Sequence, residues 1–159
     1  MIEGSRRSEN FVIKARTDAA GVLGVDEAIE RLNLFAEAGA DLLFADALLP
    51  AEDIERVARN VSKPLSVNLG YGIRARASTP LIGPKDLEAM GVAAVIYPRL
   101  LTASALRGMM NAMQAFHEEV VANNGTPDQE DLMISFEELN DISGMDALEA
   151  RYGGGVEVR

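Results

Sequence analysis

Short unbroken apolar runs alternate along this chain with longer stretches whose apolar residues recur at helical spacing. The first kind predicts buried strands and the second amphipathic helices. Residues 11–15, "FVIKA", broken only by Lys14, read as the first strand. Ala28, Ile29, Leu32, Phe35 and Ala36 then form one helical stripe, with Asp26 as the expected N-cap and Gly39 as the expected stop. A second strand over "DLLFA" ends at Asp46, and a second helix over "PAEDIERVARNV" turns Ile54, Val57 and Ala58 inward. "KPLSVN" is the third strand, ending at Asn68. A glycine-rich loop, "LGYGIRARASTPLIG", leads to the short helix "PKDLEAMG" and a fourth strand, "VAAVIYP", ending at Pro98. "TASALRGMMNAMQAFHEEVVANNG" is a long helix closed by Gly125, and the tail "DLMISFEELNDISGMDALEARYGGG" holds one or two more helices.

Strand followed by helix, four times over, predicts an α/β fold with parallel strands and right-handed crossovers. The expected organisation is a single domain over 1–159. It comprises a flexible polar N-terminus at 1–10, four strand–helix units over 11–125, a helical extension over 126–152 and a frayed tail at 153–159. A sheet of only four strands leaves two open edges, which invite pairing with another chain, so a homo-oligomer is expected.

Composition narrows the partners. The formal net charge is −10 and the pI about 4.6, a surface that repels nucleic acid and anionic membrane. No apolar run is long enough to span a bilayer, and "MIEGSRRSEN" lacks the apolar core of a signal peptide, so a cytoplasmic location is expected. The absence of cysteine excludes disulfides and thiolate catalysis, and a single histidine argues against a His-rich zinc site. No G-x-G-x-x-G follows the first strand, which argues against dinucleotide binding.

Ligand sites of parallel α/β folds lie beyond the carboxyl ends of the strands. Those ends here carry Arg16, Thr17 and Asp18, then Asp46, then Asn68, then Tyr97 and Pro98. An arginine clamps a carboxylate or phosphate, an asparagine donates to a developing oxyanion, and an aspartate orients the arginine. Neighbouring strands lie about 4.8 Å apart, so Arg16, Asp46 and Asn68 should converge on one small volume. Thr17 and Asp18 should turn outward or cap the loop. The competing reading makes Arg16 and Asp46 a structural ion pair at the sheet rim. Arg74 and Arg76 lie in the loop at the same rim, followed by Ser78 and Thr79. His117 reads as a solvated helix position, and Met109, Met110 and Met113 as helix packing.

"IKARTDA", "AIERLNLFAEAGADLLFADAL", "KPLSVNL", "STPLIGPKDLEAMGVAAVIYP" and "FEELNDISGMDALEARY", in this order and spacing, resemble the isocitrate lyase/phosphoenolpyruvate mutase superfamily. The methylisocitrate lyase, oxaloacetate decarboxylase and carboxyphosphonoenolpyruvate phosphonomutase members look most similar. The resemblance implies a (β/α)8 barrel that binds Mg²⁺ and a small α-keto or 2-hydroxy acid. Such enzymes cleave or form C–C or C–P bonds through an enolate-like intermediate. It implies substrate contacts at Arg16, Asp46, Asn68, Thr79 and Pro98. Asp46 stands where the family usually has a glutamate, one methylene longer. The terminal helices resemble those that family members exchange between subunits.

A (β/α)8 barrel typically takes about 250 residues. The resemblance covers the family's carboxyl-terminal half, so half of a barrel plus C-terminal helices is expected. The acidic Mg²⁺ ligands and the "KKCGH" loop belong to the other half, and no segment here resembles either. No metal ligand and no catalytic residue is therefore assigned. Two alternatives to an active lyase or phosphonomutase stand beside it. One is a truncated, non-catalytic half-barrel. The other is a small-carboxylate binding module.

Overall fold

The computed structural model describes residues 8, 10–74, 77–126 and 129–153. They fall into two compact units, within 1–103 and within 104–159. The first holds a four-stranded parallel sheet of β1 (Lys14–Thr17), β2 (Leu42–Ala45), β3 (Leu65–Asn68) and β4 (Val92–Ile96), in that spatial order. The connecting helices are α1 (Ala20–Leu23), α2 (Val25–Glu37), α3 (Ala51–Asn60) and α4 (Pro84–Met90). Each crossover advances by one strand, which puts all four carboxyl ends on one rim.

Register decides which side chains share a face. Arg16 is level with Phe44, Phe44 with Ser66, and Asn68 with Ile96. Successive strand residues face opposite ways. Ala15, Leu43, Leu65 and Val67 therefore lie on the other face, where Leu32, Ile54, Val57 and Leu87 of the helices complete the core. Ser66 is buried too, and its hydroxyl donates to the Leu43 carbonyl at 3.0 Å, which removes the cost of burying it.

The first strand starts later than its apolar run suggests. Phe11 and Val12 are 55% and 66% exposed, and pairing begins only at Lys14 opposite Leu42. The Ile13 carbonyl accepts the Asp41 and Leu42 N–H groups, and the Ile13 N–H donates to the Asp41 carboxylate. The ladder thus starts where β2 supplies partners. In consequence Arg16 and Thr17 belong to the strand, not to the loop after it. The glycine-containing loop that follows also holds one unforeseen helical turn, α1.

Asp26 is not the cap of α2. Gly24, at φ +95°, holds that position with no side-chain cap, and Asp26 lies in the first turn, paired with Arg56. Gly39 does follow the end of α2 in the left-handed region, at φ +99°, where a side chain would be strained. α3 and α4 run as expected, with Ile54 and Val57 fully buried and Ala58 partly so.

Helix α5 (Leu100–Phe116) starts before the expected threonine, leaves the first unit and runs into the second. A π-helical turn, His117–Ala122, extends it, and the Gly125 N–H closes on Glu119. Met109, Met110 and Met113 are exposed, against the expectation of packing, because no residue of α5 is buried. His117 is exposed, as expected. The tail forms α6 (Phe136–Leu139), started by a Ser135–Glu138 capping box, and α7 (Ile142–Tyr152). Arg76 and most of the two expected flexible ends lie outside the described residues.

Candidate functional site

The strand rim opens on a cleft of about 530 Å³, the size of a small-molecule site. Arg16, Asp46, Asn68, Thr79 and Pro98 all line it. Arg16 reaches it because it is the third residue of β1, on the face opposite the helix-packed one. Its guanidinium lies over the Phe44 ring at 5.1 Å, held from below by a flat apolar support.

The guanidinium bridges two carboxylates. Nε donates to Asp18 Oδ1 at 2.7 Å and Nη2 to Asp46 Oδ2 at 2.6 Å. The Asp18 hydrogen bond, with the Asp46 charge behind it, raises the Arg16 pKa above its usual value despite some desolvation. Asp46 stays anchored at its other oxygen, which accepts the Ala47 N–H at 2.9 Å and the Asn68 amide at 3.4 Å. Ala47 adopts φ +63°, an uncommon conformation for a residue with a side chain, and its methyl group sits on Gly21.

Thr17 and Asp18 part company. Thr17 is buried and its hydroxyl accepts the Ala19 N–H, capping the loop as expected. Asp18 does not turn away. It folds back onto Arg16, because the α1 turn brings the chain round at once.

The far wall comes from the loop after β3. The Gly70 N–H donates to the Thr79 carbonyl, and a Cβ at Gly70 would stand 2.3 Å from Ser78 Oγ. Only glycine allows so close an approach, which brings Ser78 and Thr79 to the cleft. Pro98 is exposed to the cleft, while Tyr97 stacks edge-on against Tyr71. Arg74 is exposed and does not line it. Arg99 does, and sequence reasoning passed it over, although "YPRLL" sets an arginine directly after a strand end.

Four sequential parallel strands joined by helices, with a charged cleft at their carboxyl ends, are the architecture of half a βα-barrel. This chain belongs to the phosphoenolpyruvate mutase/isocitrate lyase superfamily: the family model for phosphoenolpyruvate phosphomutase matches residues 2–117. It is 37% identical over 141 residues to a 2-methylisocitrate lyase of Halalkalibacterium halodurans, covering 88% of this chain and 44% of that one. It is 32% identical over 144 residues to the 2,3-dimethylmalate lyase of Eubacterium barkeri, covering 91% and 47%. The solved oxaloacetate acetylhydrolase, bound to the inhibitor 3,3-difluorooxalacetate, superposes with a TM-score of 0.74 at 28% identity, covering 94% and 48%. The chain thus spans less than half the length of these relatives.

Among the described residues no three His, Cys, Asp or Glu side chains stand together to hold a metal, and no helix is long and apolar enough to cross a membrane.

Proposed function

We propose that this chain supplies the carboxylate-holding part of a superfamily lyase or phosphonomutase site. The substrate class is a small α-keto or 2-hydroxy acid with two or three carboxylates, and the chemistry passes through an enolate-like intermediate. The observation that carries the reading is the joining of Arg16, Asp46 and Asn68, from three adjacent strands, in one hydrogen-bonded rim. Arg16 holds the substrate carboxylate, Asp46 keeps the guanidinium in place, and Asn68 donates to the neighbouring substrate oxygen. Thr79 and Pro98 close the far side.

The Mg²⁺ that the superfamily implies does not fit this donor set. Asp18 and Asp46, the acidic groups at the rim, are both engaged by Arg16. A hard divalent ion wants several free oxygen ligands, so its ligands would come from outside the described residues. The reading therefore assigns this chain the organic acid and no metal step. A homo-oligomer and a cytoplasmic setting belong to the same proposal.

Calorimetric titration with pyruvate and with oxaloacetate tests it. Saturable binding is expected, unchanged by EDTA, with no detectable lyase or decarboxylase turnover by the chain itself. Asn68→Asp, nearly isosteric, sets a second carboxylate beside Asp46 and should abolish binding while the fold persists. Binding that survives Asn68→Asp at full strength would sink the site assignment. Turnover well above the blank would sink the division of labour.

A further inference from the structure

We propose that Arg99 is the second anion-holding group of the cleft and makes it prefer acids with two negative groups over acids with one. The inference rests on the reading of the cleft as a carboxylate site and names what else that site grips.

Charge balance at the rim points to it. Arg16 and Lys14, which share the Phe44 ring, carry two positive charges, and Asp18 and Asp46, the partners of Arg16, two negative ones, a local net of zero. Nε and one N–H of Nη2 are engaged, which leaves both N–H groups of Nη1 and the second of Nη2 for an incoming acid. Such a cluster keeps donors for a carboxylate but has no net positive charge to draw it in. Arg16 by itself is thus a weak trap for an anion.

Arg99 lines the same cleft and differs in every one of these respects. Among the described residues its guanidinium has no hydrogen bond and no ion pair. Arg31, Arg56 and Arg59 each hold an acidic partner; among the described residues Arg74 and Arg107 show no ion pair either, but neither lines the cleft. The planar fork of Arg99 is free to take two oxygens of one carboxylate or phosphonate. Its position is set by the backbone. It sits in the turn between β4 and α5, and its carbonyl accepts the Ala103 N–H at 2.9 Å and the Thr102 hydroxyl at 3.4 Å. It is also partly buried, which limits the screening of its charge by solvent. An acid gripped at Arg16 by its first carboxylate would therefore present its second anionic group to Arg99.

Three probes with a common 2-oxo acid core separate the contributions: pyruvate, oxaloacetate and 3-phosphonopyruvate. The intact chain should bind the two larger acids about tenfold more tightly than pyruvate, the worth of one charge-assisted hydrogen-bond pair. Arg99→Gln should bring them to the pyruvate level and leave pyruvate affinity and the thermal midpoint unchanged. Arg99→Lys, which keeps the charge, should restore part of the preference. Loss confined to oxaloacetate or to 3-phosphonopyruvate would support the proposal and identify which group Arg99 takes. If the intact chain binds all three and Arg99→Gln leaves their ratio as it was, the Arg99 assignment falls and the Arg16 site stands. If the intact chain binds none of them, both fall together.

Discussion

Arg16→Lys separates a binding arginine from a structural one. The guanidinium serves Asp18 at 2.7 Å and Asp46 at 2.6 Å from two different nitrogens and still has Nη1 to offer. A lysine ammonium is a point charge on a flexible stem and cannot reproduce that fork. The side chains of Arg16 and Asp46 are 51% and 28% exposed, so each ion pair contributes only about 0.2–1 kcal/mol to stability. Losing one of them should cost at most about 1 kcal/mol, a small shift in the denaturation midpoint. A hydrogen bond from a charged donor to a bound carboxylate is worth more, about 1.5–3 kcal/mol, or roughly 10–100-fold in Kd. The assays are calorimetric titration with oxaloacetate and urea denaturation of both proteins. The expected outcome is a marked loss of affinity with stability nearly intact. Unchanged affinity would refute the carboxylate role. So would Arg16→Ala lowering stability in a chain that binds no acid to begin with, for then the ion pair only closes the sheet rim.

Ile54 is fully buried between α3 and the sheet, so Ile54→Ala should cost about 2–5 kcal/mol, read from the urea midpoint; a change under about 1 kcal/mol would contradict the packing described. Lys14 sits over the Phe44 ring at 4.4 Å, and desolvation, then the Arg16 charge, lowers its amine pKa below the ordinary lysine value. The unfolded chain therefore holds that proton more tightly, so the penalty is present at neutral pH and fades as pH rises through the folded-state pKa toward the ordinary one. Lys14→Met should raise the melting temperature at pH 7 and lose that advantage under alkaline conditions; a difference independent of pH would exclude this cause. Light scattering at micromolar concentration should report a dimer or larger species, since β1 and β4 have open edges and Leu106, Met109 and Met113 are exposed. A clean monomer that unfolds cooperatively would overturn it.

The sequence by itself determined the four strands, the longer helices between and after them, their order, and the family. Those follow from local patterning: "DLLFA" and "KPLSV" are continuous apolar runs, and Leu32, Ile54 and Leu87 fall on single helical faces whatever lies beside them. It also pointed to Arg16, Asp46 and Asn68 as neighbours, because parallel strands bring their carboxyl ends to one rim by construction. What depends on a partner distant in sequence was not legible. β1 begins at Lys14 because Leu42 is there to pair with it, and Phe11 and Val12, equally apolar, are left outside. Asp18 is only two residues from Arg16, yet it became its partner through a local turn that no periodicity announces. Met109 and Met113 carry the apolar signature of packing without being buried. Arg99 became a wall of the cleft only when the strand order set β4 beside β3 and the Gly70 contact drew Ser78 and Thr79 across from it. Local pattern prescribes elements, because a helix or strand must hide one apolar face. Site charge balance is a property of atoms far apart in the chain, and only the folded backbone decides which of them meet.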